Sequence, residues 1–231
     1  MSNKKIRISI TPREQAVGWF YLVFALLFLP PILSLIRDYL PFTLSTAVLN
    51  FAYFLINFVA VILIFRRLLG KSLENAGKKF WNFVQAVILG FVAYYLCSEG
   101  LTRLIQWLYP SFSNINDGSI ASMAGTNFQL IAIGTVILVP VAEECLHRGL
   151  VFLGLRGKNR VLAYTASILF FAGVHVFSYI GSAEPLILVL CFIQYIPAGF
   201  WLAWALEKAD SLFAPILIHC AVNAIAVYAL R

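Results

Sequence analysis

The sequence predicts an all-α protein, a polytopic bundle of transmembrane helices with about seven spans and eight as the upper count, and three observations predict it. Hydrophobic residues make up 61% of the chain and charged residues only 12%, where soluble domains have roughly 45–50% and about 25%. Several apolar runs reach the 18 or so residues that a bilayer span needs. The basic residues gather in short clusters between those runs, as they do in cytoplasmic loops facing anionic lipid. That clustering assigns the net charge of +7 to membrane topology and argues against nucleic acid as a partner.

Residues 1–10 form a basic leader containing Lys4, Lys5 and Arg7. Thr11-Pro12-Arg13-Glu14 then has the form of a capping box with proline in the first helical turn. The apolar run that follows, from about Ala16, is too long for a cleavable signal peptide and is expected to stay as the first span. It should run to about Ile36 and kink at Pro30-Pro31, where two backbone donors are missing. A second span is expected over about 43–65. Arg66 to Lys79 reads as a basic cytoplasmic loop, with Arg66, Arg67, Lys71, Lys78 and Lys79 against the single acid Glu74.

A third span covers about 80–108, with Glu99 and Arg103 spaced to pair at its far end. Residues 110–126, rich in Ser, Asn and Gly, read as an exposed non-cytoplasmic loop. A fourth span, about 127–155, precedes a second basic loop from Arg156 to Arg160. Three more follow, over about 161–180, 185–206 and 212–230. With both basic loops inside, the N-terminus is cytoplasmic and the C-terminus outside, in a multi-pass protein expected in the plasma membrane, or in an endomembrane if the source is eukaryotic. The chain reads as a single membrane domain, 1–231. Its N-terminal helices occupy 1–126, and chemistry is concentrated in 127–231.

The polar residues inside these spans carry the functional reading. A charged side chain near the bilayer centre costs roughly 2.5–3.5 kcal/mol, yet Glu143, Glu144 and Arg148 share one apolar run. Glu143 and His147, Glu144 and Arg148, Phe171 and His175, and His219 and Asn223 are each four apart, so each pair lies on one helix face. The two glutamates point about 100° apart. Glu144 can therefore neutralise Arg148 on its own face, whereas Glu143 is free to act elsewhere. At about 1.5 Å per residue, Glu143, His175 and His219 lie roughly 18, 21 and 11 Å from the cytoplasmic ends of their helices, and a shared cavity opening to the cytoplasm is feasible.

A glutamate and a histidine can activate water as general base and then protonate a leaving group. A second histidine and a carboxamide can stabilise an oxyanion. Together these suit amide hydrolysis. No serine or cysteine with a matching base is evident. Cys97, Cys145, Cys191 and Cys220 lie singly in apolar segments and read as free thiols, although Cys145 and Cys220 lie close in sequence to the polar set.

Glu143-Glu144-x-x-x-Arg148, Phe171-x-x-x-His175 and His219-x-x-x-Asn223 resemble the three-motif signature of the CPBP intramembrane proteases, also called the Abi family. That family includes the type II CAAX prenyl endopeptidases and proteins linked to bacteriocin processing and self-immunity. The resemblance implies that Glu143 and His175 activate water, that His219 and Asn223 form the oxyanion hole, and that Glu144, Arg148 and Phe171 are supports. It gives His147 no role. It implies a peptide or membrane-protein substrate met in the lipid bilayer. Metal-free catalysis is the expectation, since there is no HExxH pair and three ligands would leave no clear base; the alternative is a divalent metal such as zinc on Glu143, His175 and His219. Two other functions compete with the protease, a non-enzymatic immunity or peptide-binding protein and a proton-coupled transporter. The polar set, however, occupies one half of the chain without inverted repeats.

Overall fold

The computed structural model describes residues 7–230, so Lys4 and Lys5 of the basic leader lie outside the described residues. Every regular element among the described residues is helical. The chain is a helical membrane bundle, as its composition requires. The helices are α1 (Pro12–Leu27), α2 (Leu29–Tyr39), α3 (Thr46–Ile64), α4 (Arg66–Lys78) and α5 (Phe80–Leu108). They continue with α6 (Ile115–Arg156), α7 (Arg160–Phe177), α8 (Pro185–Gln194), α9 (Ile196–Ala209) and α10 (Phe213–Tyr228).

α1 opens on the expected capping box. The Thr11 amide donates to Glu14 Oε2 at 2.9 Å, and the Glu14 amide donates to Thr11 Oγ1 at 3.2 Å. The other oxygen of the same carboxylate accepts the Leu68 amide at 3.0 Å, so one buried glutamate caps both α1 and α4. The break expected at Pro30-Pro31 falls just before it, at Phe28, where α1 and α2 meet at 48°. Prolines without an N–H are tolerated in a first helical turn, so the pair starts α2 rather than kinking a continuous helix.

Three expectations need correction. The basic loop 66–79 is a helix, α4, which turns Leu68, Ser72 and Ala76 inward and its cations outward. The polar loop 110–126 is also largely helical: Asn114 caps α6 through its Oδ1, and α6 then continues unseparated into the expected fourth span, bent at Asn127 (φ −154°, ψ 78°). The span count is lower too. Five helices are long and apolar enough to cross a membrane, or six if α1 and α2 form one bent span; α10, which the sequence counted as a span, has 16 residues and falls short. The expected sixth span is one of these five, Pro185–Ala209, which a turn at Tyr195 divides into α8 and α9, with Pro197 in the first turn of α9.

α9 packs against α5 and α7, while α10 lies between α5 and α6. Close approach of α9 to α7 requires Gly199, because a Cβ there would stand 2.8 Å from the Ile168 Cα. In the main core Ile8, Phe65, Leu68, Leu150, Leu206 and Leu212 meet around the C-terminal end of α6. Polar ties close that end. Buried Asp210 accepts the Arg7 and Ile8 amides at 2.8 and 3.1 Å and pairs with Lys79 at 2.6 Å. Glu207 pairs with Arg156 and Arg160, so the nearly neutral 207–210 turn is where the basic segments find their acids.

Candidate active site

The site grows from an irregularity in α6. Two stretches of this helix are π-helical, Gly134–Leu138 and Cys145–Phe152, and Glu143 sits on the α-helical turn between them. In the first stretch the Val139 amide reaches back to the Gly134 carbonyl, bypassing Thr135. The next residue able to serve the Thr135 carbonyl in π geometry is Pro140, which has no N–H. The carbonyl is taken instead by Asn223, whose Nδ2 donates to it at 2.9 Å. A tertiary hydrogen bond from α10 thus replaces the backbone bond that Pro140 removes, and it binds α10 to the segment carrying Glu143.

Glu143 and Glu144 diverge as their helical positions predict. Glu144 Oε1 accepts Arg148 Nη1 at 3.0 Å, and both side chains are fully enclosed. The Arg148 guanidinium also donates to the Ala198 carbonyl at 2.9 Å and lies over the Phe171 ring at 4.4 Å. A further partner was not legible from spacing: His219 Nδ1 stands 2.9 Å from the same Glu144 oxygen. His175 is anchored similarly, its Nδ1 2.8 Å from the Phe171 carbonyl. A carbonyl and an arginine-paired carboxylate can only accept, so both Nδ1 atoms donate, and in the neutral rings both Nε2 atoms carry lone pairs.

Those two Nε2 atoms converge on Glu143. His175 Nε2 is 3.8 Å and His219 Nε2 3.9 Å from Glu143 Oε2. Both distances exceed direct hydrogen bonding, and this buried oxygen has no protein partner. Glu143, from α6, is therefore joined with His175 from α7 and His219 from α10. Asn223 shares the α10 face but makes its hydrogen bond to Thr135 rather than to these three. Phe171 packs among them, its ring centroid 4.5 Å from that of His175 and 6.0 Å from that of His219.

His147 does not face Glu143's carboxylate; it is buried against Phe170 and Phe171. All four cysteines are free thiols, and no hydrogen bond joins Cys145 or Cys220 to a histidine. Sequence reasoning missed Tyr195, whose ring lies 4.2 Å from that of His175 and whose hydroxyl points to Asn114 Oδ1 at 3.4 Å. Pro197, two residues on, was the available signal, because a proline in an apolar run starts a new helix there and frees the preceding turn.

Three acceptor atoms facing one point would suit a cation or a donor molecule. Among the described residues, however, no three His, Cys, Asp or Glu side chains are grouped so that they could hold a metal ion. Every residue from Glu144 to Leu153 is buried, so this stretch of α6 is enclosed by protein. Glu143 keeps 22% side-chain exposure, His175 12% and His219 5%.

Residues 125–225 match the family model described as Type II CAAX prenyl endopeptidase Rce1-like. The matched segment is less than half of the chain and contains Glu143, Glu144, Arg148, His175, His219 and Asn223. Among curated proteins and solved structures, nothing matches the chain significantly.

Proposed function

Taking residues 125–225 as a segment of the Rce1-like type II CAAX prenyl endopeptidase family, we propose that the chain is an intramembrane endopeptidase that cleaves a peptide bond of a membrane-associated peptide or protein with activated water. The observation that carries this reading is the convergence of His175 Nε2 and His219 Nε2 on the unpartnered Glu143 Oε2. Three acceptors without a donor suit a water molecule, which supplies hydrogens to two of them. Glu143 and His175 take the proton as this water attacks the scissile carbonyl, and the acid so formed returns it to the leaving amine.

His219 is placed to serve the oxyanion. With its one proton on Nδ1, neutral His219 has no Nε2–H to donate, so this role needs a second ring proton taken up from solvent before the water attacks, while the Glu144 carboxylate on Nδ1 fixes the ring. Glu144 therefore both braces Arg148 and orients His219. Asn223 spends one amide hydrogen on Thr135 and keeps a second that can turn toward the oxyanion. We assign no step to a metal, because using Glu143, His175 and His219 as ligands would leave no clear general base. Cleavage by purified protein is expected to survive a chelator that strips zinc, and loss of activity that zinc restores would reverse this assignment.

The test compares the membrane proteomes of cells carrying wild-type protein and Glu143→Gln. New peptide termini seen only with wild type are expected. Identical termini in the two strains would remove the hydrolase reading in favour of a peptide-binding or immunity protein. The cytoplasmic N-terminus and a plasma-membrane location belong to the same proposal, through the basic clusters of α4 and of 156–160.

A further inference from the structure

The two histidines that face Glu143 are held by different means. His219 is tied through Nδ1 to a carboxylate that Arg148 holds in turn. His175 has only the Phe171 carbonyl on its Nδ1, and its Nε2 stands 3.8 Å from Glu143 Oε2, beyond direct hydrogen bonding. One hydrogen bond fixes one nitrogen and leaves the tilt of the imidazole to packing. Two rings supply that packing. Phe171 lies one turn back on the same helix, its centroid 4.5 Å from that of His175. Tyr195 comes from the turn between α8 and α9 and is the closer of the two, at 4.2 Å with the planes inclined by 33°. The Phe171 and Tyr195 rings also meet edge to face at 6.2 Å, so the three rings pack as one group.

Tyr195 is in turn held by a chain of uncharged polar side chains. Asn114 caps α6, its Oδ1 accepting the Asn116 and Asp117 amides at 2.9 and 3.3 Å, and the Tyr195 hydroxyl reaches the same oxygen at 3.4 Å. Asn114 Nδ2 donates to Gln194 Oε1 at 2.6 Å, and Gln194 Nε2 donates to Thr102 Oγ1 of α5 at 2.8 Å. Two adjacent residues of the α8–α9 turn, Gln194 and Tyr195, therefore both end on Asn114. A carboxamide in an apolar helix pair is costly unless its donors and acceptor are used, and Gln194 is bonded through both its oxygen and its nitrogen. Leu101, Phe112, Ile115 and Ile193, which flank these residues in sequence, belong to one apolar cluster. The turn is thus fixed against α5 and the start of α6 on one side while it presents the Tyr195 ring to His175 on the other.

We infer that Tyr195 is a positioning residue for His175. Its ring keeps the imidazole in the orientation in which Nδ1 donates to Phe171 and the Nε2 lone pair is turned toward Glu143, and the Asn114, Gln194 and Thr102 side chains keep Tyr195 in place. The catalytic value of this contact rests on the peptidase reading; the ordering of the ring does not. An aromatic contact of this kind biases an orientation by about 2- to 10-fold. The hydroxyl bond, at 3.4 Å, is long, so the ring carries more of the effect than the hydroxyl.

The test labels full-length protein in lipid nanodiscs with ¹⁵N at its three histidines, each resonance being assigned by a single histidine-to-glutamine variant. At a pH where the rings are neutral, His175 in wild type should show a protonated Nδ1 and an unprotonated Nε2. Tyr195→Leu should move both His175 signals toward the average of the two tautomers and leave those of His147 and His219 in place, and Tyr195→Phe, which keeps the ring, should restore the wild-type pattern. Asn114→Ser retains a helix-capping side chain but loses the bonds to Tyr195 and Gln194, and it should give the same change in smaller degree; it decides the matter if Tyr195→Leu does not fold. Unmoved His175 signals, or signals of all three histidines moving together, overturn the inference. With a substrate found by the proteome comparison, Tyr195→Leu should lower kcat about 2- to 10-fold at unchanged KM, and Tyr195→Phe should recover most of the loss. A raised KM with kcat unchanged would make Tyr195 a substrate contact instead and also overturns it. If wild type cleaves nothing, the peptidase reading fails, while the histidine signals still decide whether Tyr195 orders His175.

Discussion

The inner and outer halves of α6 belong to one continuous helix but differ in their surroundings. From Glu144 to Leu153 the helix is enclosed on every face; beyond the bend at Asn127 its outer segment carries Gly118, Ser119 and Ser122 along an open cavity. The two consecutive glutamates straddle this boundary. Glu144 shares one oxygen between Arg148 and His219, whereas Glu143 Oε2 has no protein partner. The contrast shows that a carboxylate's role in an apolar helix depends on which neighbours reach it. Enclosure turns one into a brace, and incomplete satisfaction leaves the next available for chemistry. Even the brace is imperfect, since Glu144 Oε2 and Arg148 Nε also lack partners, so it adds specificity to the helix packing more surely than it adds stability.

The change expected to break this contrast most strongly is Arg148→Ala, which leaves the buried Glu144 without its cation and with only His219 as a donor. Removing one partner of a buried pair costs about 3–5 kcal/mol, and a large drop in the detergent unfolding midpoint should follow. A midpoint equal to wild type would mean that the inner half is wetter than its packing shows. On the other side of the boundary, Glu143→Gln should lower cleavage about 10²–10⁴-fold and leave the same midpoint almost unmoved. If both variants lost stability alike, the division between brace and base would be wrong.

Smaller effects sharpen the picture. Gly199→Ala forces a Cβ to 2.8 Å from the Ile168 backbone, which should cost about 1–3 kcal/mol by overpacking, read as a lower midpoint. Asn223→Ala leaves the Thr135 carbonyl without a donor, at about 1–3 kcal/mol. Its signature is a loss of stability together with activity, whereas a residue serving only the oxyanion would lower the rate alone. Glu99→Gln breaks a solvent-exposed pair with Arg103 and should change stability by less than about 1 kcal/mol. A larger shift would show that the outer end of α5 is more enclosed than its exposure indicates.

The α10 and α4 results show where sequence reasoning loses information. Hydropathy finds apolar runs, but it does not distinguish a 16-residue helix held by neighbours from a full span, nor a basic loop from an amphipathic helix such as α4, whose buried stripe is only Leu68, Ser72 and Ala76. The Pro30-Pro31 signal located a break to within a few residues. Helical spacing paired Glu144 with Arg148 correctly because that contact is local. It could not find His219 beside Glu144, Tyr195 beside His175 or Thr135 beneath Asn223, since each of these joins residues far apart in the chain.

By itself, the sequence determined the membrane class, most of the apolar helices and the polar residues inside them. Each follows from composition or from the fixed 3.6-residue period of a helix. Tertiary structure alone decided which imidazole nitrogens face Glu143, how Asn223 compensates for Pro140, and which stretch of α6 is enclosed. Those outcomes depend on the rotation and depth at which α6, α7 and α10 pack, and a local period carries no information about either.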